Sequence, residues 1–226
     1  MPGDEATISR VTRSRRQARA AYDRLSRWYD LLSGPWEARL SAEGLRMLAV
    51  EEGQRVLEIG PGTGHTLAAL ADAVGAAGSV VGVDLSPHML QEARKRLRAR
   101  APQAGAALTC GDASSLPLPP GSFDAVFIGF TLELSDTPEI PVVLGECWRT
   151  LRPGGHVCVV SLTKAGGRSW MRDLYELGHR RFPSLLDCRP ILVRQSLERA
   201  GFALREGCVR SLAGLPVEIA LARKPA

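Results

Sequence analysis

The spacing of apolar positions divides the chain into a helical opening, a long alternation of short apolar runs with amphipathic segments, and a strand-rich end. Residues 1–16 are polar and carry no apolar period. From Ala18 a helical period sets in. Ala18, Tyr22, Leu25, Tyr29 and Leu32 recur at three and four residues, with arginines on the other faces. Ser33-Gly34-Pro35 interrupts that period. A second helix is predicted from Trp36 to Val50, through Leu40, Leu45 and Leu48, and Glu51-Glu52-Gly53 ends it.

The pattern then changes. Arg55 to Gly60 is a short apolar run ending in a glycine-rich turn, and residues 64–74 read as a Leu/Ala-rich helix. Ser79 to Asp84 is a second strand of buried type. Ser86 is a predicted N-cap with Pro87 at the first helical position of a helix reaching about Ala99. Ala107 to Cys110 is a weaker strand, Phe123 to Phe130 a strongly apolar one, and Thr137-Pro138 opens a helix to about Leu151. Arg152-Pro153-Gly154-Gly155 breaks it before a valine-rich strand from His156 to Ser161.

Strands alternating with helices in this way predict βαβ units and a parallel sheet covered on both faces. The end differs. A helix is expected at 168–181 and another from Pro190 to Ala200, stopped by Gly201. Two further runs, 202–211 and 217–223, flank a short turn at Ala213-Gly214, which permits only antiparallel pairing. The expectation is one α/β domain over 1–226, with seven strands and a C-terminal antiparallel hairpin. Residues 1–52 form its helical cap and 53–226 its core.

Composition narrows the class. At 226 residues the chain suffices for one sizeable core. No apolar run approaches the ~18 residues of a membrane span. The opening carries Asp4 and Glu5 without an apolar stretch, so no secretory signal and a cytoplasmic location are expected. Cys110, Cys147, Cys158, Cys188 and Cys208 are odd in number and never spaced as C-x-x-C, which argues against a disulfide framework or a metal site. The net charge is +5, concentrated at Arg10, Arg13, Arg15, Arg16, Arg19, Arg24 and Arg27. That cluster is either a solvated helix face or a peripheral contact with an anionic membrane surface. It lacks the aromatic interleaving of a nucleic-acid binder, so no nucleic-acid partner is expected.

The candidate chemistry starts at Glu58-Ile59-Gly60-Pro61-Gly62-Thr63-Gly64, a strand-to-helix turn. Gly60, Gly62 and Gly64 let the backbone turn sharply and approach a ligand. The dinucleotide fingerprint needs a last glycine where His65 stands, and no lysine completes a phosphate loop. Glu58 suits a ligand with a positive end better than a pyrophosphate. Asp84 ends the second strand, where a carboxylate can accept from a ribose diol. Gly111-Asp112-Ala113 follows the third strand and offers an acceptor for an adenine amino group. Three strands ending in an acid, in chain order, form one constellation.

These motifs, together with Phe123-Asp124-Ala125-Val126 and Leu151-Arg152-Pro153-Gly154-Gly155, resemble the class I S-adenosylmethionine-dependent methyltransferases over about residues 53–224. The opening Ala21-Tyr22-Asp23-Arg24-Leu25-Ser26 and Trp28-Tyr29-Asp30-Leu31-Leu32 is similar to the branch of ubiquinone/menaquinone-biosynthesis C-methyltransferases. The resemblance implies a three-layer Rossmann-like sheet and S-adenosyl-L-methionine as cofactor. It implies Gly60 and Gly62 at the cofactor's methionine end, Gly64 among the cofactor-binding residues, and Glu58 helping to hold the amino group through the loop. It places Asp84 on both ribose hydroxyls, Leu85 or Met89 near the adenine, and Asp112 with Ala113 at the adenine edge. Tyr22 and Tyr29 would close the pocket or simply pack the cap.

The methyl acceptor is expected to be a small molecule: a quinone precursor, a lipid headgroup or a natural product. The segment Thr131 to Asp136 would face it. There Glu133 is either a base or ammonium-binding group, or a surface acid of a helical turn. His179 is a second, more structural candidate. Trp36, Met47, Trp170, Met171, Tyr175 and Phe182 would line an apolar acceptor pocket or belong to the core. A nicotinamide-dependent oxidoreductase and a non-catalytic binding protein of the same fold are the alternative functions.

Overall fold

The computed structural model describes residues 34–165, 189–212 and 214–226, with side chains from Glu37 onward. The predicted helices at 18–32 and 168–181 lie outside the described residues, as do Tyr22, Tyr29, the N-terminal arginines, Trp170, Met171, Tyr175, His179, Phe182 and the Trp36 side chain.

The elements in chain order are α1 (Gly34–Leu48), β1 (Arg55–Ile59), α2 (His65–Val74), β2 (Ser79–Asp84), α3 (Pro87–Arg100), β3 (Gly105–Cys110) and β4 (Phe123–Gly129). A single 3-10 turn (Leu132–Leu134) follows, then α4 (Ile140–Thr150), β5 (Leu151–Leu162), α5 (Val193–Arg199), β6 (Ala203–Leu212) and β7 (Leu215–Arg223). The seven strands form one sheet in the order β3-β2-β1-β4-β5-β7-β6. The first five pair in parallel, and β7 inserts antiparallel between β5 and β6.

Period-2 alternation builds the three layers. On β5, Cys158 and Val160 face a core shared with Leu40 and Leu48 of α1, Leu67 and Leu70 of α2, and Leu97 of α3. Val157 and Val159 face the opposite core, filled by Leu144 and Cys147 of α4 and Val193 and Leu197 of α5. Both faces being covered explains why the strand segments are almost wholly apolar.

Three boundaries differ by three residues or more from the sequence expectation. The helix expected from Thr137 begins at Ile140. Pro138 disfavours helical geometry in the residue before it, and Thr137 is drawn into a turn with its N–H on Asp136 Oδ1 at 2.9 Å. The strand expected from His156 already starts at Leu151, which pairs with Phe123 before an irregularity in the ladder absorbs the Pro-Gly-Gly step. The helix expected from Pro190 starts at Val193, because Ile191 bridges to Thr163 beside the sheet. Among the described residues, no helix is long and apolar enough to cross a membrane.

Candidate functional site

The site is built at the carboxyl ends of β1, β2, β3 and β4, where the chain turns from strand to helix. Between β1 and α2, Gly60 donates its N–H to the Val83 carbonyl at 2.9 Å, which ties the turn to β2. Gly64 N–H donates to the Pro61 carbonyl at 2.8 Å, and Ala68 N–H to the Gly64 carbonyl at 3.0 Å starts the helix. Gly60, Gly62 and Gly64 all have positive φ, which only glycine adopts without cost.

Their surroundings separate three roles. A Cβ on Gly60 would lie 2.3 Å from Thr131 Oγ1, so this glycine admits the Thr131 side chain of the segment after β4. A Cβ on Gly64 would lie 2.7 Å from Ala93 Cβ, so this one seats α2 against α3. Gly62 has no heavy atom within 4 Å of the same position. It therefore leaves an open cradle at the tip of the turn, where a ligand can approach the backbone.

Glu58 stands near the end of β1, just before this turn, and is buried. Its Oε2 has no hydrogen-bond partner. Burial, and secondarily the charge of Asp84, hold its carboxyl well above the usual carboxylate range. A buried polar atom without a partner is costly. A bound cationic group would reverse that cost by favouring the ionised form.

Asp84 closes the neighbouring corner. Its Oδ2 accepts from Gly62 N–H at 3.1 Å and its Oδ1 from Ser86 N–H at 2.8 Å. The carboxylate is thus aimed across the mouth of the turn, while Ser86 caps α3 by accepting from Met89 N–H at 3.2 Å. Next along the sheet edge, Gly111 N–H donates to the Asp84 carbonyl at 3.0 Å. Asp112 Oδ1 accepts from both the N–H and the hydroxyl of Ser114, at 2.9 and 2.8 Å. Half-buried Ala113 packs on the core behind it. The structure therefore brings Glu58, Gly62, Asp84 and Asp112 to one continuous edge. Of the two apolar candidates, Met89 is buried in the α3 core and Leu85 is exposed beside Asp84.

The segment after β4 completes the edge. Phe130 takes a positive φ of 49°, which turns the chain so that Thr131 faces Gly60. Glu133 is fully buried, contrary to the surface-acid alternative. Its Oε1 accepts a long hydrogen bond, 3.4 Å, from Leu162 N–H of β5, and its Oε2 has no partner. Burial pushes its carboxyl up to about 7, against the smaller opposing effects of its own backbone, the Ser161 hydroxyl and Leu162 N–H. Such a group changes protonation state near neutrality. Met47, a candidate for the acceptor pocket, packs against the core.

Two polar features escaped the sequence reading. Glu218 of β7 is buried, accepts from Thr163 Oγ1 at 2.9 Å and pairs with Arg194 Nε at 2.7 Å. An acid flanked by apolar residues on both sides, Pro-Val-Glu-Ile-Ala, was its signal. Arg189 is also buried, with its guanidinium on Thr137 Oγ1 at 2.7 Å and on the Ser135 carbonyl. Nothing local in the sequence marks Arg189, because its partners lie more than fifty positions away.

Residues 56–155 match the family described as methyltransferase domain. The chain is 36% identical over 146 residues to a demethylmenaquinone methyltransferase of Geobacillus kaustophilus, covering 65% of this chain and 60% of that protein. The chain spans 56–61% of the length of the first curated relatives it matches. The fold is similar to a putative methyltransferase of Bacillus halodurans, with a TM-score of 0.68 at 20% identity, covering 82% of this chain and 99% of that one. It is also similar to the 4+2 cyclase SpnF, with a TM-score of 0.74 at 19% identity, covering 95% and 98%.

Proposed function

We propose that this chain, whose residues 56–155 match a methyltransferase-domain family and whose fold is similar to that of a putative methyltransferase, transfers a methyl group from S-adenosyl-L-methionine to a small-molecule acceptor. The observation that carries the reading is the pairing of Glu58 with Gly62. One gives a buried carboxyl oxygen without a partner, and the other an open cradle in the turn that follows it. The cofactor's α-ammonium group would supply the missing partner. Its ribose would lie at the Asp84 carboxylate and its adenine between exposed Leu85 and the Asp112–Ala113 turn. When bound, the cofactor supplies a methyl group on a sulfonium leaving group. The protein's part is to orient the acceptor and exclude water.

A quinone-type acceptor is favoured among small molecules, because the Geobacillus kaustophilus relative is a demethylmenaquinone methyltransferase. The similarity to SpnF supports a second reading, a protein of the same fold with another activity. Thermal unfolding with S-adenosylhomocysteine, with NAD and with neither tests the cofactor assignment. Ligand at a hundred times its Kd adds about 2.7 kcal/mol, a shift of roughly 5–11 °C for a chain of this size. The shift is expected with S-adenosylhomocysteine alone and is lost in Asp84→Ala. A shift with NAD instead would overturn the assignment. Formation of methylated product from demethylmenaquinol separates the methyltransferase from the second reading.

A further inference from the structure

Glu133 combines complete burial with a position on the loop that follows β4. It stands on the 3-10 turn there, two residues beyond Thr131, whose hydroxyl reaches the Gly60 carbonyl at 3.3 Å. Its turn is therefore latched to the glycine loop that would hold the methyl donor. From there the carboxyl reaches β5, at Ser161 and Leu162, on the side covered by α1, whose first turn carries Glu37. The bond from Leu162 N–H to Oε1, at 3.4 Å, is long for a charged acceptor, and Oε2 has no partner. Weak bonds on one oxygen do not offset the burial of a whole carboxyl group. A purely structural role would favour an apolar residue or an amide here.

We propose that Glu133 is the proton acceptor of the reaction, and that the methyl acceptor is correspondingly an O–H acid or a ring carbon activated by an adjacent O–H. The proposal rests on the methyltransferase reading. The acceptor's O–H bond breaks and its proton passes to Glu133 Oε2. The electron pair left on oxygen, or conjugated onto the ring carbon, forms the bond to the methyl carbon. The C–S bond breaks with its pair retained by sulfur. In the carbon case, the hydrogen displaced at that carbon moves to the oxygen and restores the hydroxyl. Either way one proton leaves the acceptor for each methyl gained, and Glu133 then returns it to solvent.

The surroundings fit a group that gains and loses a proton. Burial disfavours the charge at Glu133, the nearby acid Glu37 disfavours it further, and only the hydrogen bonds of Ser161, Leu162 and its own backbone oppose them. The group is therefore poised to carry a proton near neutral pH, as general bases are.

The test compares wild type with Glu133→Gln, which preserves shape and burial. Difference infrared spectroscopy on the protein alone should show a carboxylic-acid carbonyl band that titrates between pH 6 and 8 and is missing in Glu133→Gln. With demethylmenaquinol as the acceptor probe, the variant should lose at least about 100-fold in kcat and the pH-dependent limb near neutrality. Its S-adenosylhomocysteine affinity, measured by calorimetry, should stay within threefold of wild type. Turnover of Glu133→Gln within threefold of wild type, or the absence of a titrating band, overturns the proposal. Failure of the methyltransferase reading shows elsewhere, as wild-type protein without affinity for S-adenosylhomocysteine. The infrared titration needs no ligand and still reads Glu133.

Discussion

Thr131 sits over Gly60 as a lid on the glycine turn. Its Oγ1 lies 3.3 Å from the Gly60 carbonyl and 2.9 Å from that of Gly129, and a Cβ on Gly60 would lie 2.3 Å from the same oxygen. Gly60→Ala therefore meets both a steric clash and a left-handed φ of 67°. It should destabilise the protein by about 2–4 kcal/mol. Gly62→Ala meets only the strain of φ 52°, because its Cβ enters open space. Its stability loss should be about 1–2 kcal/mol, yet the new methyl occupies the cradle. Chemical denaturation and S-adenosylhomocysteine titration should thus separate the two. Gly60→Ala loses mainly stability, and Gly62→Ala loses mainly affinity.

Gly64 and Ala93 make a different kind of pair. A Cβ on Gly64 would come 2.7 Å from Ala93 Cβ and 2.8 Å from its Cα. The second of these is backbone and cannot swing away. Gly64→Ala should push α3 outward at a cost of about 2–4 kcal/mol. Adding Ala93→Gly should recover part of that loss, a coupling that a double-mutant cycle in urea measures directly. Two distant, uncoupled sites would instead give additive losses.

Much of this site was legible because it is local in sequence. Glu58 to Gly64, Asp84 and Asp112 each stand at the end of their own strand, and a parallel sheet necessarily gathers such ends on one edge. The antiparallel hairpin was legible for the same reason, since a short turn at Gly214 leaves no other pairing. What escaped is what tertiary cover creates. Glu133 looks like a surface acid in Thr-Leu-Glu-Leu-Ser-Asp and is buried by β5 and α1, which are remote from it in sequence. Gly60 and Gly64 look like ligand contacts of equal standing with Gly62, but Thr131 and Ala93 occupy the space beside them. The start of α5 falls later than local propensity implies because the Thr163–Ile191 bridge takes residues that propensity assigns to a helix.

That bridge also carries a stability prediction. Thr163 Oγ1 lies 2.9 Å from Glu218 Oε2 and 3.1 Å from the Ile191 carbonyl, and it accepts from Ala165 N–H at 3.0 Å. The Arg194 partner of Glu218 is 47% exposed, so screening limits what that ion pair contributes. The buried hydroxyl is the stronger support. Thr163→Val keeps the shape and removes the hydroxyl, and should cost about 1–3 kcal/mol in urea unfolding. Thr163→Ser retains the hydroxyl and should cost less than half as much. A larger loss in Thr163→Ser than in Thr163→Val would assign the effect to the methyl group instead.

Glu133 also makes the stability of the ligand-free protein depend on pH in an unusual direction. Its carboxyl titrates near 4.5 in the unfolded chain and at about 7 when folded. The folded state thus holds the proton more tightly, so the stabilisation is complete below pH 4.5 and is lost as pH rises through 7. A tenfold difference in proton affinity is worth about 1.4 kcal/mol, so the loss amounts to about 3 kcal/mol. Glu133→Gln carries a permanently neutral isostere. It should match wild type near pH 5 and exceed it at pH 8 by up to about 3 kcal/mol, or roughly 6–12 °C in Tm. The buried Glu58 carboxyl is displaced in the same direction, so a residual decline with pH should persist in Glu133→Gln and diminish further when Glu58→Gln is added. Melting curves of the three proteins from pH 5 to 8.5 check the sign. A wild-type Tm that gains on Glu133→Gln as pH rises would mean that Glu133 is ionised in the folded state across the whole range.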